Sequence, residues 1–143
     1  MIVVDASIAC KWLFLEADSD RAITLLERHA GRLIAPDLLL SEVTGAVVRQ
    51  HNTGLSSAED SDAKLREWSA ILETTAMTLV RTSDALMQQA AMIAMELKHP
   101  LSDCVYLALA DAHDWELATS DAKFAARSKR LSARVLLLDQ FHL

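Results

Sequence analysis

A chain of 143 residues is long enough for one domain with a real core and too short for two, and its 52% apolar content excludes a disordered sequence. Three glycines and two prolines exclude a turn-rich all-β sandwich, and no apolar stretch approaches the ~20 residues that span a bilayer. A net charge of −6 excludes a protein that coats nucleic acid by global attraction, while leaving room for a local basic strip.

The apolar pattern alternates between short β-branched runs and helical stripes. "IVVD" (2–5) reads as a strand buried on both faces. "ASIACKWLF" then reads as a helix with Ile8, Trp12 and Leu15 along it, and "SDRAITLLERH" (19–29) as a second with Ala22, Leu25, Leu26 and His29 on one face. "RLIA" (32–35) is strand-like; Pro36 suits the first turn of a helix that runs to about Gln50 and closes at Asn52, Thr53 and Gly54. Ser56 and Glu59 have capping-box spacing ahead of a helix carrying Leu65, Trp68 and Leu72.

"MTLV" (77–80) is a third strand. Ser83 opens a helix in which Leu86, Ala90, Ile93, Ala94 and Leu97 recur at helical spacing until His99 and Pro100 end it. "SDCVYLALADAHD" is a buried helix, "ELAT" (116–119) a strand, "SDAKFAARSK" a short helix and "RVLLL" (134–138) a last strand. Five strands alternating with helices predict a single α/β domain over residues 1–143 with a largely parallel sheet. Ligands of such sheets gather beyond the carboxyl ends of the strands. The five methionines read mainly as packing residues, and Met92 and Met95 do not suggest a cofactor box.

"MIVVDAS" has no basic n-region, so a cytoplasmic location is expected. Cys10 and Cys104 stand far apart on apolar helical faces, where free thiols are expected, although an exposed Cys104 would be redox-sensitive.

The acids carry the chemistry. Asp5 ends the first strand, and Asp121 lies two residues beyond Thr119 at the end of the fourth. Glu42 sits among Leu38, Leu39, Leu40 and Val43 and is expected to face inward; no Lys or Arg near it in its helix offers an obvious partner. Asp103 heads seven apolar residues. As helix caps, Asp5, Asp103 and Asp121 would each contribute ~0.5–2 kcal/mol. Jointly, carboxylates converging on one sheet edge repel by ~1–4 kcal/mol per close pair, which a cation among them relieves.

All-oxygen ligation points to Mg²⁺ or Mn²⁺. Zinc lacks its usual partners, since the five histidines form no i,i+3 or i,i+4 pair with one another. A divalent ion held there can polarise a phosphoryl oxygen and activate a water for in-line attack, with Ser7 and Thr119 orienting the ligands. No G-x-G-x-x-G, P-loop or G-x-S-x-G competes.

The segments "VVDASIACKW", "APDLLLSEVTGAVVR", "LSDCVYLALA" and "LATSDAKFA" resemble, in order and spacing, the four acidic motifs of the PIN domain, most closely in the VapC toxins of type II toxin–antitoxin modules. The resemblance implies a three-layer α/β/α fold and a Mg²⁺- or Mn²⁺-dependent endoribonuclease acting on structured RNA such as tRNA or rRNA. It implies a homodimer inhibited by a VapB-type antitoxin. By motif position, Asp5, Glu42, Asp103 and Asp121 would be the metal-binding catalytic acids, supported by Ser7 and Thr119. Where the family often has alanine after the third acid, this chain has Cys104.

Beside that resemblance, the basic strip Lys123, Arg127, Lys129, Arg130 and Arg134 reads either as a solvated helix end or as an RNA phosphate contact. Trp12, Leu13 and Phe14 read as core or as the lining of an antitoxin groove. A haloacid-dehalogenase-type phosphatase would need an aspartate where Ser7 stands, and a receiver domain an earlier one than Asp84. A catalytically silent PIN-like interaction module is the remaining alternative.

Overall fold

The structure, a computed structural model, describes residues 1–131 and 134–143. The strands are β1 Ile2–Val4, β2 Leu33–Pro36, β3 Met77–Val80, β4 Glu116–Thr119 and β5 Val135–Leu137. Helices α1 Ala6–Leu13 and α2 Ser19–Arg28 follow β1; α3 Leu38–Asn52 and α4 Ala58–Glu73 follow β2. Helices α5 Asp84–Leu97 and α6 Leu101–His113 follow β3, and α7 Ala122–Ser128 follows β4.

All strand pairs are parallel, in the spatial order β3-β2-β1-β4-β5. The chain builds outward from β1 to β3, then returns to lay β4 on the other side of β1. This reversal opens a crevice beyond the carboxyl ends of β1 and β4. Val4 pairs with Ala118, so Asp5 and the Thr119–Asp121 segment emerge side by side at that crevice.

Neighbouring strand residues point to opposite faces. Ile2, Val3 and Val4 are nevertheless all buried, as are Leu117, Ala118 and Thr119, so both faces of the sheet are covered. The layers are helical on both sides, as expected. Helix α6 packs on β1, β2 and β4 with α5 against it, while α1 packs on β4 and α3 on β2. Seven consecutive residues of α6, from Cys104 to Ala110, are buried, and each large apolar side chain among them contributes roughly 1.5–3 kcal/mol. That packing fixes Asp103, the residue immediately before the buried run.

Local details differ from the expectations. Helix α1 stops at Leu13, and Leu15 is 98% exposed beyond it, because Phe14 turns extended and its N–H reaches back to Cys10 O. Pro36 ends β2 instead of opening α3; edgewise pairing with Val80 keeps it in the sheet, and Asp37 begins the turn. The cap of α4 is Ser57, whose hydroxyl accepts from the Asp60 N–H, one residue later than Ser56.

Helix α5 ends at Leu97 because Lys98 adopts a left-handed conformation, φ 52°, which turns His99 away from the helix. The last strand spans Val135–Leu137, with Leu138 in a short 3-10 turn. Met92 and Met95 are 66% exposed, so the core packs without them. Trp12, Leu13 and Phe14 are all buried in it. Among the described residues, no helix is long and apolar enough to cross a membrane.

Candidate metal centre

The crevice collects side chains from four segments. Asp5 is buried and caps α1: its Oδ1 accepts from the Ile8 N–H at 3.2 Å and from the Ser7 hydroxyl at 2.6 Å. Ser7 Oγ in turn accepts from the Ser120 N–H at 2.8 Å and lies 3.4 Å from Thr119 Oγ1. Thr119, fully buried, accepts from the Asp121 N–H at 3.1 Å. Ser7 and Thr119 therefore tie the turn after β1 to the turn after β4.

Asp121 caps α7, its Oδ1 accepting from the Phe124 N–H at 2.9 Å. Asp103 does not cap. It stands in the first turn of α6, whose cap position is Pro100, and its Oδ2 meets His99 Nε2 at 2.7 Å. Capping and ligand binding are thus compatible at Asp5 and Asp121, and capping is not the role of Asp103.

Ligand atoms of His99, Asp103 and Asp121 lie within 4.8 Å of one another. Asp5 and Glu42 stand outside that trio but share its electrostatics. Burial raises the Asp5 carboxyl to about 6; bonds from Ser7, Thr119 and Ile8 oppose the rise, and the Asp103 charge adds to it. Glu42 Oε1 accepts from the Tyr106 hydroxyl at 2.6 Å. Burial raises the Tyr106 phenol strongly, Glu42 raises it further, and Asp5 and Asp103 act in the same direction. Tyr106 therefore stands among three of the four acids.

The donor chemistry fits a hard divalent cation. Carboxylates clustered around one point suit Mg²⁺ or Mn²⁺, whereas a closed zinc site wants thiolates or several imidazoles. Burial pushes both thiols up to about 11, and Cys104 is fully buried, as its apolar helical face led one to expect, so the condition for a redox-sensitive thiol is not met there. Ser120 Oγ, also at this edge, is buried without a hydrogen-bond partner.

A PIN domain family model matches residues 2–130. The chain belongs to the PIN domain family. Solved structures with the same fold include PAE2754 from Pyrobaculum aerophilum, 18% identical, with a TM-score of 0.73 over 96% of this chain and 89% of that one. VapC20 of Mycobacterium tuberculosis, a sarcin-ricin loop cleaving toxin, is 18% identical, with a TM-score of 0.69 over 88% of this chain and 94% of that one. FitAcB from Neisseria gonorrhoeae is 18% identical, with a TM-score of 0.71 over all of both chains. A comparison with curated proteins found no match.

Three residues of this PIN domain site escaped the sequence reading. His99 and Tyr106 flank Asp103 at spacings of four and three, a pattern invisible to a search for paired histidines. Arg49 lies two helical turns beyond Glu42, and with Ser7, Cys10 and Glu42 it lines a cleft of about 390 Å³. The basic strip is partly engaged. Arg127 Nη1 donates to Lys98 O at 3.3 Å and lies 3.1 Å from His99 Nδ1. Arg130 donates to Glu96 O, and Arg134 pairs with Asp114. Lys123 and Lys129 are exposed.

Proposed function

We propose that this chain is a metal-dependent endoribonuclease acting as the toxin of a type II toxin–antitoxin module, with Asp5, Glu42, Asp103 and Asp121 as its metal-holding acids. The observation that carries the reading is the meeting of Asp103 and Asp121 at the switch point of the sheet, beside a buried Asp5 that feels the charge of Asp103. Membership of the PIN domain family supports it, as do structural neighbours described as a sarcin-ricin loop cleaving toxin and a toxin–antitoxin complex. A Mg²⁺ or Mn²⁺ ion bound by these carboxylates would supply Lewis-acid activation of a phosphodiester and of the attacking water.

The residues around the ion divide the remaining work. Ser7 and Thr119 hold the Asp5 and Asp121 turns in register. Tyr106 fixes one oxygen of Glu42, and Arg49 brings a cation into the cleft beside it, where an RNA phosphate is the anion the reading requires. Exposed Lys123 and Lys129 extend the phosphate track past Asp121; Arg127 and Arg130 contribute through whatever capacity their bonds to α5 leave. A VapB-type antitoxin and a homodimeric state complete the reading, acting on the chain as one domain from 1 to 143.

Incubation with total cellular RNA, with and without Mg²⁺, followed by mapping of new ends, tests it. Mg²⁺-dependent ends at defined sites are expected. Full Mg²⁺ binding with no cleavage of any RNA would favour the silent interaction module.

A further inference from the structure

Distance alone would make His99 a third metal ligand, since its ring nitrogen lies in the same 4.8 Å cluster as Asp103 and Asp121. The hydrogen bonds argue otherwise. A guanidinium has N–H donors and no acceptor. With Arg127 Nη1 3.1 Å from His99 Nδ1, the favourable arrangement puts the Nδ1 lone pair toward Arg127. The ring proton then sits on Nε2, which donates to Asp103 Oδ2 at 2.7 Å.

The ring has little freedom to exchange these partners. Its side chain is 4% exposed, and it stacks on the fully buried Phe124 ring at 4.8 Å between centroids. Phe124 belongs to α7, and its N–H is the one that Asp121 caps. Ligation through Nε2 would require that nitrogen to lose its proton and Asp103 to lose its hydrogen bond, with Nδ1–H then facing the Arg127 donor.

From this geometry we infer that His99 is a positioning residue: set in the Nε2–H tautomer by Arg127, it aims the Asp103 carboxylate at the cation and does not bind the cation itself. The inference rests on the metal-nuclease reading above and refines its ligand set to oxygen. It also gives Arg127 a role inside the centre, separate from any contact with RNA. Hydrogen bonds of this kind behind a ligand typically change metal affinity by tens of fold.

Two measurements test it on the full chain. Long-range ¹H–¹⁵N correlation spectra of ¹⁵N-labelled protein report which ring nitrogen of His99 carries the proton, before and after Mg²⁺ is added. The Nε2–H form is expected in both states. Calorimetric Mg²⁺ titration should show His99→Gln, whose amide N–H can replace Nε2–H, within about threefold of the unsubstituted protein, and His99→Ala weaker by roughly 10- to 100-fold.

A switch to Nδ1–H when Mg²⁺ binds, or a Gln variant as weak as the Ala variant while both remain folded by circular dichroism, would overturn the inference and leave the nuclease reading standing. An unsubstituted protein that binds no Mg²⁺ would overturn both.

Discussion

Tyr106 and Glu42, 64 positions apart, are joined by a 2.6 Å hydrogen bond that links α6 to α3 beside the candidate metal centre. The phenol is held far into its protonated form by burial and by Glu42, so it donates throughout the usable pH range. Tyr106→Phe removes the donor and leaves one Glu42 oxygen without its partner. A stability loss of about 1–3 kcal/mol is expected by chemical denaturation, with a fall in RNA cleavage that exceeds what reduced folding explains.

Asp5 gives the metal-free protein a pH dependence with an unusual sign. Its carboxyl is raised from 3.8 to about 6 in the fold. Stability from this group is therefore fully present below pH 3.8 and is lost as pH rises through 6. A shift of this size corresponds to on the order of 3 kcal/mol. Titrating the unfolding free energy between pH 4 and 7 in chelator should show that decline, superimposed on any other titrations. Asp5→Asn should flatten it.

The same substitution separates charge from capping. Asparagine caps helices about as well as aspartate, and its amide oxygen can still accept from Ile8 and Ser7. Asp5→Asn and Asp103→Asn are expected to abolish Mg²⁺-dependent cleavage while leaving the metal-free fold as stable or more stable at neutral pH. Strong destabilisation by both, measured by calorimetry, would return these acids to structural roles.

Asp121 permits the sharper version of that comparison. Asp121→Ala removes the bond to Phe124 N–H as well as the charge, and a loss of ~0.5–2 kcal/mol is expected. Asp121→Asn should retain most of that stability and still lose Mg²⁺ affinity. Equal behaviour of the two variants in both assays would contradict the double role.

Exposed Lys123 and Lys129 are the members of the basic strip least committed to the protein. Charge reversal at both should weaken RNA binding, with the deficit shrinking as salt rises, because phosphate contacts act through released counterions. Arg127→Glu should weaken RNA cleavage and also Mg²⁺ affinity, through His99. A filter-binding series at two salt concentrations distinguishes them.

Local chemistry was legible because it is written in neighbouring residues. The short β-branched runs, the helical stripes and the acids just past two strand ends each follow from periodicities of two or 3.6. The small errors have the same origin: Pro36 could open a helix or end an edgewise pairing, and only Val80 across the sheet decides between them. The same cross-sheet reach engages Asp37, whose carboxylate accepts from the Thr82 N–H and hydroxyl.

From the sequence alone came the five strands, their alternation with helices and the acids that belong at their ends. The tertiary structure alone decided which side chains meet those acids: Tyr106 against Glu42, Ser7 against Ser120, Arg127 behind His99. The reason is range. Backbone periodicity is set within a few residues, whereas a hydrogen bond between α3 and α6, or between α7 and the turn before α6, exists only after the sheet has brought distant segments within 3 Å or so.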